Sequence, residues 1–478
     1  MVMGELPVEA EVVVIGGGPG GYAAAFRAAD LGLDVTLVTD EPQLGGVCLL
    51  RGCIPSKTLL SLTELIHSAR LSPAMGVNFG EPEIDLDSLR AWKDKVIERL
   101  TKGLGQLCER RGVRVVQARA TFNGPDSLHL QNTDAHGLTF KHAIVATGSR
   151  PVSLPEVEFS ARIMDSSAAL ALEDIPRKLL VVGGGYVGLE MGMVYASLGS
   201  SVTLVEMTER LLPSADPDLV KPLAHTVEKL FAEVHLNSKV AAIREEKDRV
   251  RVSVEGEADL ADTAFDRVLV AIGRRPNSDE LGLKAAKVDI TERGYIVVDE
   301  QRRTTNERIF AVGDVAGGML LAHEAIREGK VAAEVIAGQP AAFDARAVPA
   351  VVYTDPQIAW CGLTEQDAKA QKRNIIVARF PWNASGRAAS MGVTDGLTKV
   401  VMDQESQRVL GVGVVGRHAE ALIAEGVLAV EMGAVAEDLA LTIHPHPTLT
   451  ETLGEAAEML LGSATHVFRR GERKEEKG

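Results

Sequence analysis

Cys48 and Cys53 stand five positions apart in Gly45-Gly46-Val47-Cys48-Leu49-Leu50-Arg51-Gly52-Cys53-Ile54-Pro55-Ser56-Lys57. In a regular helix their Cα atoms would lie roughly 8–9 Å apart, from the 1.5 Å rise and 2.3 Å radius. A disulfide needs less than about 7 Å. A bridge therefore requires a distorted turn, and Gly45, Gly46 and Gly52 supply that freedom. A helix N-terminus also lowers thiol pKa values, so thiolates are expected at neutral pH. A structural zinc site would need four ligands, usually in two closely spaced pairs, and Cys108 and Cys361 are isolated. The bland alternative is two small buried residues. The spacing favours a redox pair.

Such a pair needs elements that bring electrons to it. Glu11–Ile15 is a β-branched run, Gly16-x-Gly18-x-x-Gly21 follows, then Tyr22–Leu31 at helical period and Val35–Val38. This strand–turn–helix context makes the glycines a dinucleotide fingerprint: Gly16 for the turn, Gly18 for backbone approach to a pyrophosphate, Gly21 for helix–strand packing. An acid is expected at the end of the second strand, where Thr39 stands, followed by Asp40. Either Thr39 makes the ribose contact or Asp40 reaches back. The same order returns at Leu179–Val182, Gly183-x-Gly185-x-x-Gly188 with Glu190, Leu189–Leu198 and Val202–Val205. Here Glu206 fills the acid position. A carboxylate accepts from both ribose hydroxyls and repels a 2′-phosphate; Arg210 is four residues on, so NAD is expected over NADP.

After Pro349 the texture changes. Val351–Tyr353, Gly396–Met402 and Val409–Val415 read as strands with helical stretches between and after them, a third kind of domain. Arg469–Gly478 is almost entirely charged or glycine and is expected to be disordered. The formal charge of −15 argues against nucleic-acid binding. No run of apolar residues is long enough to span a membrane. The N-terminus, with acids and no basic region, does not read as a signal peptide. With only four cysteines, the expectation is a cytoplasmic protein.

GGVCLLRGCIPSK resembles the active-site motif of the pyridine nucleotide–disulfide oxidoreductases, and its IPSK ending is most similar to the dihydrolipoamide dehydrogenases among them. The resemblance spans nearly the whole chain. It includes both fingerprints, Ala146-Thr147-Gly148, Ala271-Ile272-Gly273-Arg274, Phe310-Ala311-Val312-Gly313-Asp314 and His444-Pro445-His446-Pro447-Thr448-Leu449-Thr450-Glu451, in the family's order.

The resemblance implies an α/β fold of two Rossmann-like dinucleotide-binding domains, for FAD and NAD, with a C-terminal α+β dimerisation domain. The expected boundaries are 1–150 for the first FAD part with the redox disulfide, 151–275 for NAD, 276–346 completing the FAD domain, 347–468 for the interface and 469–478 for the tail. It implies that Cys48 exchanges with substrate and Cys53 lies against the flavin. Lys57 would pair with Glu190 near the flavin, and Asp314 of Gly313-Asp314 would bind the flavin polyol. Leu320, Leu321 and Ala322 would line it through their backbone. Ala120, Thr147 and Gly148 are also carried over to FAD, and Val240, Ala271, Gly273 and Arg274 to NAD. Metal ligands are not expected.

His446 is implied as the acid–base residue, oriented by Glu451, with His444 its structural competitor. Thr448-x-x-Glu451 also reads as a capping box at a helix start. By resemblance the histidine serves the partner subunit, so a homodimer with a shared active site is expected. The implied partner is the lipoyl domain of a 2-oxo acid dehydrogenase or glycine cleavage complex, and the implied reaction oxidises dihydrolipoamide and reduces NAD. Rival readings are a glutathione- or mercuric-reductase-like enzyme and a structural or electron-carrying flavoprotein subunit. Glu206 and the lack of cysteines after Cys361 weigh against the first rival. Complete Cys48, Cys53, His446 and Glu451 sites weigh against the second. Four positions depart from the family's pattern, Thr39 in place of the usual acid among them. Leu50 and Arg51 replace common Asn and Val, with Arg51 expected to point to solvent rather than stabilise the Cys48 thiolate. Pro445 replaces a common Ala and should stiffen its loop.

Overall fold

The computed structural model describes residues 8–132, 137–257, 260 and 262–468. The expected disordered tail, 469–478, and residues 1–7 of the N-terminal stretch lie outside the described residues. The chain divides into two compact units: Met1–Leu62, Gly76–Ile175 and Leu269–Asp344 form one; Thr63–Met75, Pro176–Val268 and Ala345–Gly478 form the other.

The first unit is built on strand β1 (Val8–Ile15). Val12, Val13 and Val14 are all fully buried, as a parallel interior strand flanked on both faces must be. β2 (Val35–Thr39) pairs with it in parallel, Val14 opposite Leu37, and Gly137–Val145 flanks its other edge, Val14 opposite Ile144. The far edge of Gly137–Val145 is used twice. Its start pairs antiparallel with Ser127–Gln131, and its end pairs in parallel with Ile309–Ala311. That late strand is how residues after 300 return to the first sheet. Helix α1 (Pro19–Asp30) begins with proline inside its first turn and buries Ala24, Ala25 and Ala28. These small side chains, with Gly20 and Gly329, let it cross helix Ala322–Ile336 closely: a Cβ on Gly329 would stand 2.4 Å from the Gly20 carbonyl oxygen. Ser149–Pro151 pairs antiparallel with Arg274–Pro276. This ribbon closes the excursion of the chain between them, so the first unit runs on to Ile175 and resumes at Leu269, outside the 150 and 276 expected.

The second unit repeats the motif. Lys178–Val182, Ser201–Val205 and Glu233–His235 are parallel, with helix Tyr186–Ser197 between the first two. The C-terminal part is a five-stranded antiparallel sheet in the order 350–352, 357–362, 409–416, 397–403, 375–381. The three strands expected there are present, and Gln357–Gly362 and Ile375–Pro381 complete the sheet. Its core centres on Trp382, whose indole N–H donates to Thr398 Oγ1 at 2.9 Å. The Thr398 and Thr452 hydroxyls hydrogen-bond at 2.7 Å, and Thr452 Oγ1 donates to the Leu449 carbonyl at 2.7 Å. This buried chain fixes the start of helix Glu451–Leu461 to the sheet.

Lys399 is almost fully buried, and its ammonium lies 2.6 Å from Asp216, 2.7 Å from Asp218 and 2.9 Å from Glu365. A buried ammonium persists only when paired in this way. Asp216 also accepts the backbone N–H groups of Glu365 and Gln366.

Candidate active site

In the first phosphate turn, the three glycines are required for different reasons. Gly16 has φ +114°, and a Cβ there would lie 2.3 Å from the Ala146 carbonyl oxygen; one on Gly21 would lie 1.9 Å from that of Gly16. At Gly18 the nearest described atom to such a Cβ is Gly46 Cα at 3.8 Å. Gly18 thus leaves open backbone at the N-cap of α1, where a pyrophosphate can meet free N–H groups. The second turn has the same division: Gly188 is closed by the Gly183 carbonyl at 2.0 Å, and nothing described lies within 4 Å of a Cβ on Gly185. Two such cradles fit two dinucleotides.

The ribose positions differ. Thr39 is buried at the end of β2, and its Oγ1 accepts from the Glu41 N–H at 3.3 Å; Asp40 is exposed. Glu206 is buried, with Oε2 accepting from Gly184 N–H at 2.6 Å and Oε1 from both the N–H and the hydroxyl of Thr208 at 2.8 Å. An ionised carboxylate has about four acceptor positions. Glu206 therefore keeps room for about one further donor, fewer than the two ribose hydroxyls expected of it.

The cysteines sit on a broken helix. Cys48 lies in α2 (Gly46–Arg51) and Cys53 opens α3 (Cys53–Leu71). The break is at Gly52, where a Cβ would lie 2.7 Å from the Val47 carbonyl oxygen. The distortion anticipated within one turn is thus a full interruption between two helices. Both cysteines are thiols in this structure, and the two hydrogen-bond to each other. That bond, followed by burial, pushes the Cys48 thiol up, while the Lys57 charge pulls it down. The lowered value expected from a helix N-terminus does not hold for Cys48. Its helix is one short turn and a half, and a second thiol in contact means the pair carries one negative charge more easily than two. The Arg51 side chain is 38% exposed. It is ion-paired with Glu41.

Thr147 and Gly148 follow strand Gly137–Val145; Thr147 Oγ1 donates to the Asn277 carbonyl at 2.8 Å, and Asn277 returns an N–H to the Thr147 carbonyl at 2.9 Å. Asp314 accepts from the Ser149 hydroxyl at 2.5 Å, and Arg274 Nε donates to the same hydroxyl at 2.7 Å. Arg274, expected at NAD, is thus committed to the Asp314 network of the first unit, as Ala271 and Gly273 also lie in that unit. Leu320 has φ +59°, Leu321 caps helix Ala322–Ile336, and Ala120 is buried on Arg119–Phe122. In the second unit, Val240 is buried on Ser238–Glu245, and Glu190, buried on its helix, accepts the Tyr353 N–H at 3.0 Å.

His446 Nδ1 lies 2.8 Å from Glu451 Oε1, and the Thr448 N–H donates to Glu451 Oε2 at 2.6 Å. Burial is the largest influence on Glu451 and opposes its charge. The Thr448 N–H and His446 outweigh it, and the carboxyl ends below its usual range. The ionised carboxylate can only accept, so His446 carries its proton on Nδ1 and presents the Nε2 lone pair. The capping box is half formed: Thr448 Oγ1 donates to the Pro445 carbonyl instead of capping, and the helix begins at Glu451. The His446 side chain is 71% exposed; that of His444 is 9% exposed and bonded to Glu425 at 2.8 Å. Of these two rings, that of His446 is the one open to a substrate. Ser149, Thr452 and Glu41 carry the site without belonging to any motif. Their signals are proximity to Thr147-Gly148, to Glu451 and to the expected ribose acid.

The chain matches the family described as Pyridine nucleotide-disulphide oxidoreductase over residues 10–329, and the dimerisation domain of that family over 348–457. It is 47% identical over 463 residues to a dihydrolipoyl dehydrogenase of Vibrio cholerae, covering 96% of this chain and 97% of that one. It is 44% identical over 469 residues to a dihydrolipoyl dehydrogenase of Geobacillus stearothermophilus, covering 98% and 100%. Among solved structures, LpdA from Mycobacterium tuberculosis superposes with a TM-score of 0.87 at 27% identity, covering 94% of this chain and 99% of that one. The HOCl-induced flavoprotein disulfide reductase RclA from Escherichia coli gives 0.84 at 27%, covering 94% and 100%. A redox cysteine pair, two dinucleotide cradles and a carboxylate-held histidine, on a chain matched by this family along almost its whole length, make it a member of the pyridine nucleotide-disulphide oxidoreductases, an oxidoreductase that uses FAD and NAD.

Proposed function

We propose that the chain is a dihydrolipoyl dehydrogenase, oxidising dihydrolipoamide carried on a lipoyl domain and reducing NAD. The observation that carries this is the His446–Glu451 pair, which holds a basic nitrogen open to a substrate thiol, in a chain whose similar relatives share that activity name at 42–47% identity. His446 Nε2 takes a proton from one substrate thiol. The thiolate attacks Cys48 of the oxidised pair, the Cys48–Cys53 bond breaks, and Cys53 leaves as the thiolate. The second substrate thiol then displaces Cys48, which takes up a proton; the product is the cyclic disulfide. Bound FAD supplies the two-electron passage from the cysteine pair to NAD.

Cys53 is assigned beside the flavin, with Lys57 favouring negative charge there. Gly16, Gly18, Gly21, Thr147, Gly148 and Asp314 are assigned to FAD, and Gly183, Gly185, Gly188 and Glu206 to NAD. The dimerisation domain supports a homodimer in which His446 serves the cysteines of the other copy. Its surface carries Leu428, Met432, Leu441 and Ile443, which are 62–96% exposed. Apolar side chains exposed together in this way fit an interface. No described helix is long and apolar enough to cross a membrane. A cytoplasmic site fits the few cysteines.

The test is steady-state oxidation of dihydrolipoamide with NAD and separately with NADP, alongside Cys48→Ser. NADH formation by the wild type, with loss of dithiol turnover and retention of bound flavin in Cys48→Ser, is expected. Full turnover by Cys48→Ser, or a preference for NADP, would overturn the assignment.

A further inference from the structure

Gly313 and Asp314 are held from two sides, in part by Ser149 and Glu328, which belong to no motif. On the side-chain face, Arg274 Nε donates to Ser149 Oγ at 2.7 Å and a second guanidinium nitrogen donates to the Ser149 carbonyl at 2.7 Å. A guanidinium only donates, so the Ser149 oxygen must accept there. Its hydrogen is thereby directed to Asp314 Oδ2, 2.5 Å away. Arg274 itself stands 4.0 Å from that carboxylate. Ser149 is buried, so neither bond is exchanged readily for water.

On the backbone face, Gly313 has φ +71° and gives its N–H to Glu328 Oε2 at 2.6 Å. The other oxygen, Glu328 Oε1, takes Arg302 at 2.8 Å. Glu328 is itself only 2% exposed. It sits on helix Ala322–Ile336, whose next residue, Gly329, rests on the Gly20 carbonyl of α1. The helix that anchors Gly313 is thus the one packed on the phosphate-turn helix.

We propose that Ser149, aligned by Arg274, and Glu328 are positioning residues for bound flavin, fixing the Gly313-Asp314 acceptor relative to the phosphate turn and setting how slowly flavin leaves. This rests on assigning Asp314 to FAD. A single hydrogen bond of this kind is worth about tenfold in an equilibrium or a rate.

The measurement is flavin release from the holoenzyme, followed by the activity recovered in an excess of an unrelated apoflavoprotein that captures the released flavin, with visible circular dichroism of the bound flavin as a second readout. Ser149→Ala is expected to release flavin about tenfold faster and to change the dichroism. Ser149→Thr, which restores the hydroxyl, is expected to return both toward wild type. Glu328→Gln, which keeps an oxygen for the Gly313 N–H, is expected to release flavin more slowly than Glu328→Met. If Glu328→Met does not fold, the Ser149 pair of variants decides. Wild-type release and dichroism in Ser149→Ala overturn the inference. Asp314→Asn separates the two levels: faster release there with no change in Ser149→Ala sinks the positioning role alone. Unchanged release in both sinks the Asp314 assignment with it.

Discussion

Replacing Glu451 by glutamine separates two jobs done by one carboxylate. Oε1 holds His446 Nδ1 at 2.8 Å, and Oε2 takes the Thr448 N–H at 2.6 Å. An amide oxygen can keep the Thr448 bond, but the group loses its charge and, if its NH2 faces the ring, reverses the histidine tautomer. Hydrogen bonds to charged groups contribute about 1.5–3 kcal/mol. His446 is 71% exposed and Glu451 26%, so water screens the pair and the lower end applies. A loss of about 1.5 kcal/mol corresponds to roughly tenfold in turnover. The assay is dihydrolipoamide oxidation at saturating NAD. Glu451→Gln should fall about tenfold or more in kcat/KM for the dithiol, with NADH-to-dye electron transfer retained. Glu451→Ala should match it in rate and also lose about 1 kcal/mol of stability, because the helix start loses its acceptor. Dithiol turnover within twofold of wild type in Glu451→Gln would refute the orienting role.

Gly18→Ala and Gly21→Ala should fail differently. The first has open space around the added methyl and should fold but bind flavin poorly, whereas the second collides with the Gly16 carbonyl at 1.9 Å and should fail to fold; flavin content and circular dichroism separate the two. Burial pushes Glu328 up to about 7 from an ordinary 4.5. Its relative stabilisation is full below the ordinary value and is lost as pH rises through about 7, so Glu328→Gln should abolish a fall of about 3 kcal/mol in wild-type stability between those limits, read from urea midpoints. Lys399→Met should cost about 3–5 kcal/mol, since it leaves the buried Asp216 without its cation while Asp218 and Glu365 keep Arg379; an unchanged urea midpoint would contradict that.

The motifs were legible because each carries its own backbone requirement. The glycines of both turns, the need for a distortion between Cys48 and Cys53 and the strands around β1 follow from local sterics and apolar runs. What sequence concealed was set by tertiary partners. Arg51 finds Glu41 only because the chain folds back after β2, and the strand ending in Thr39 says nothing of that pairing. The raised Cys48 thiol depends on a second sulfur in contact, not on its helix. Gln357–Gly362 and Ile375–Pro381 lack the clean alternation of exposed strands, because Ile358 and Ala359 are buried in succession and Ile375, Ile376 and Val377 are all half-buried. Thr448-x-x-Glu451 is legible both as a cap and as the acid that orients His446. The two oxygens allow Glu451 to be both.

The Lys399 cluster has a consequence for how the second unit responds to its medium. The oxygens of Asp216, Asp218 and Glu365 lie within 4.8 Å of one another, a spacing at which proteins often recruit a divalent ion. Here the neutralising charge is part of the polypeptide. Its local concentration is fixed by a covalent tether rather than by what is dissolved outside. A chelator cannot withdraw it, dilution cannot deplete it, and competing ions have no vacancy to enter. The junction therefore holds its geometry in media where a metal-clipped equivalent would come apart.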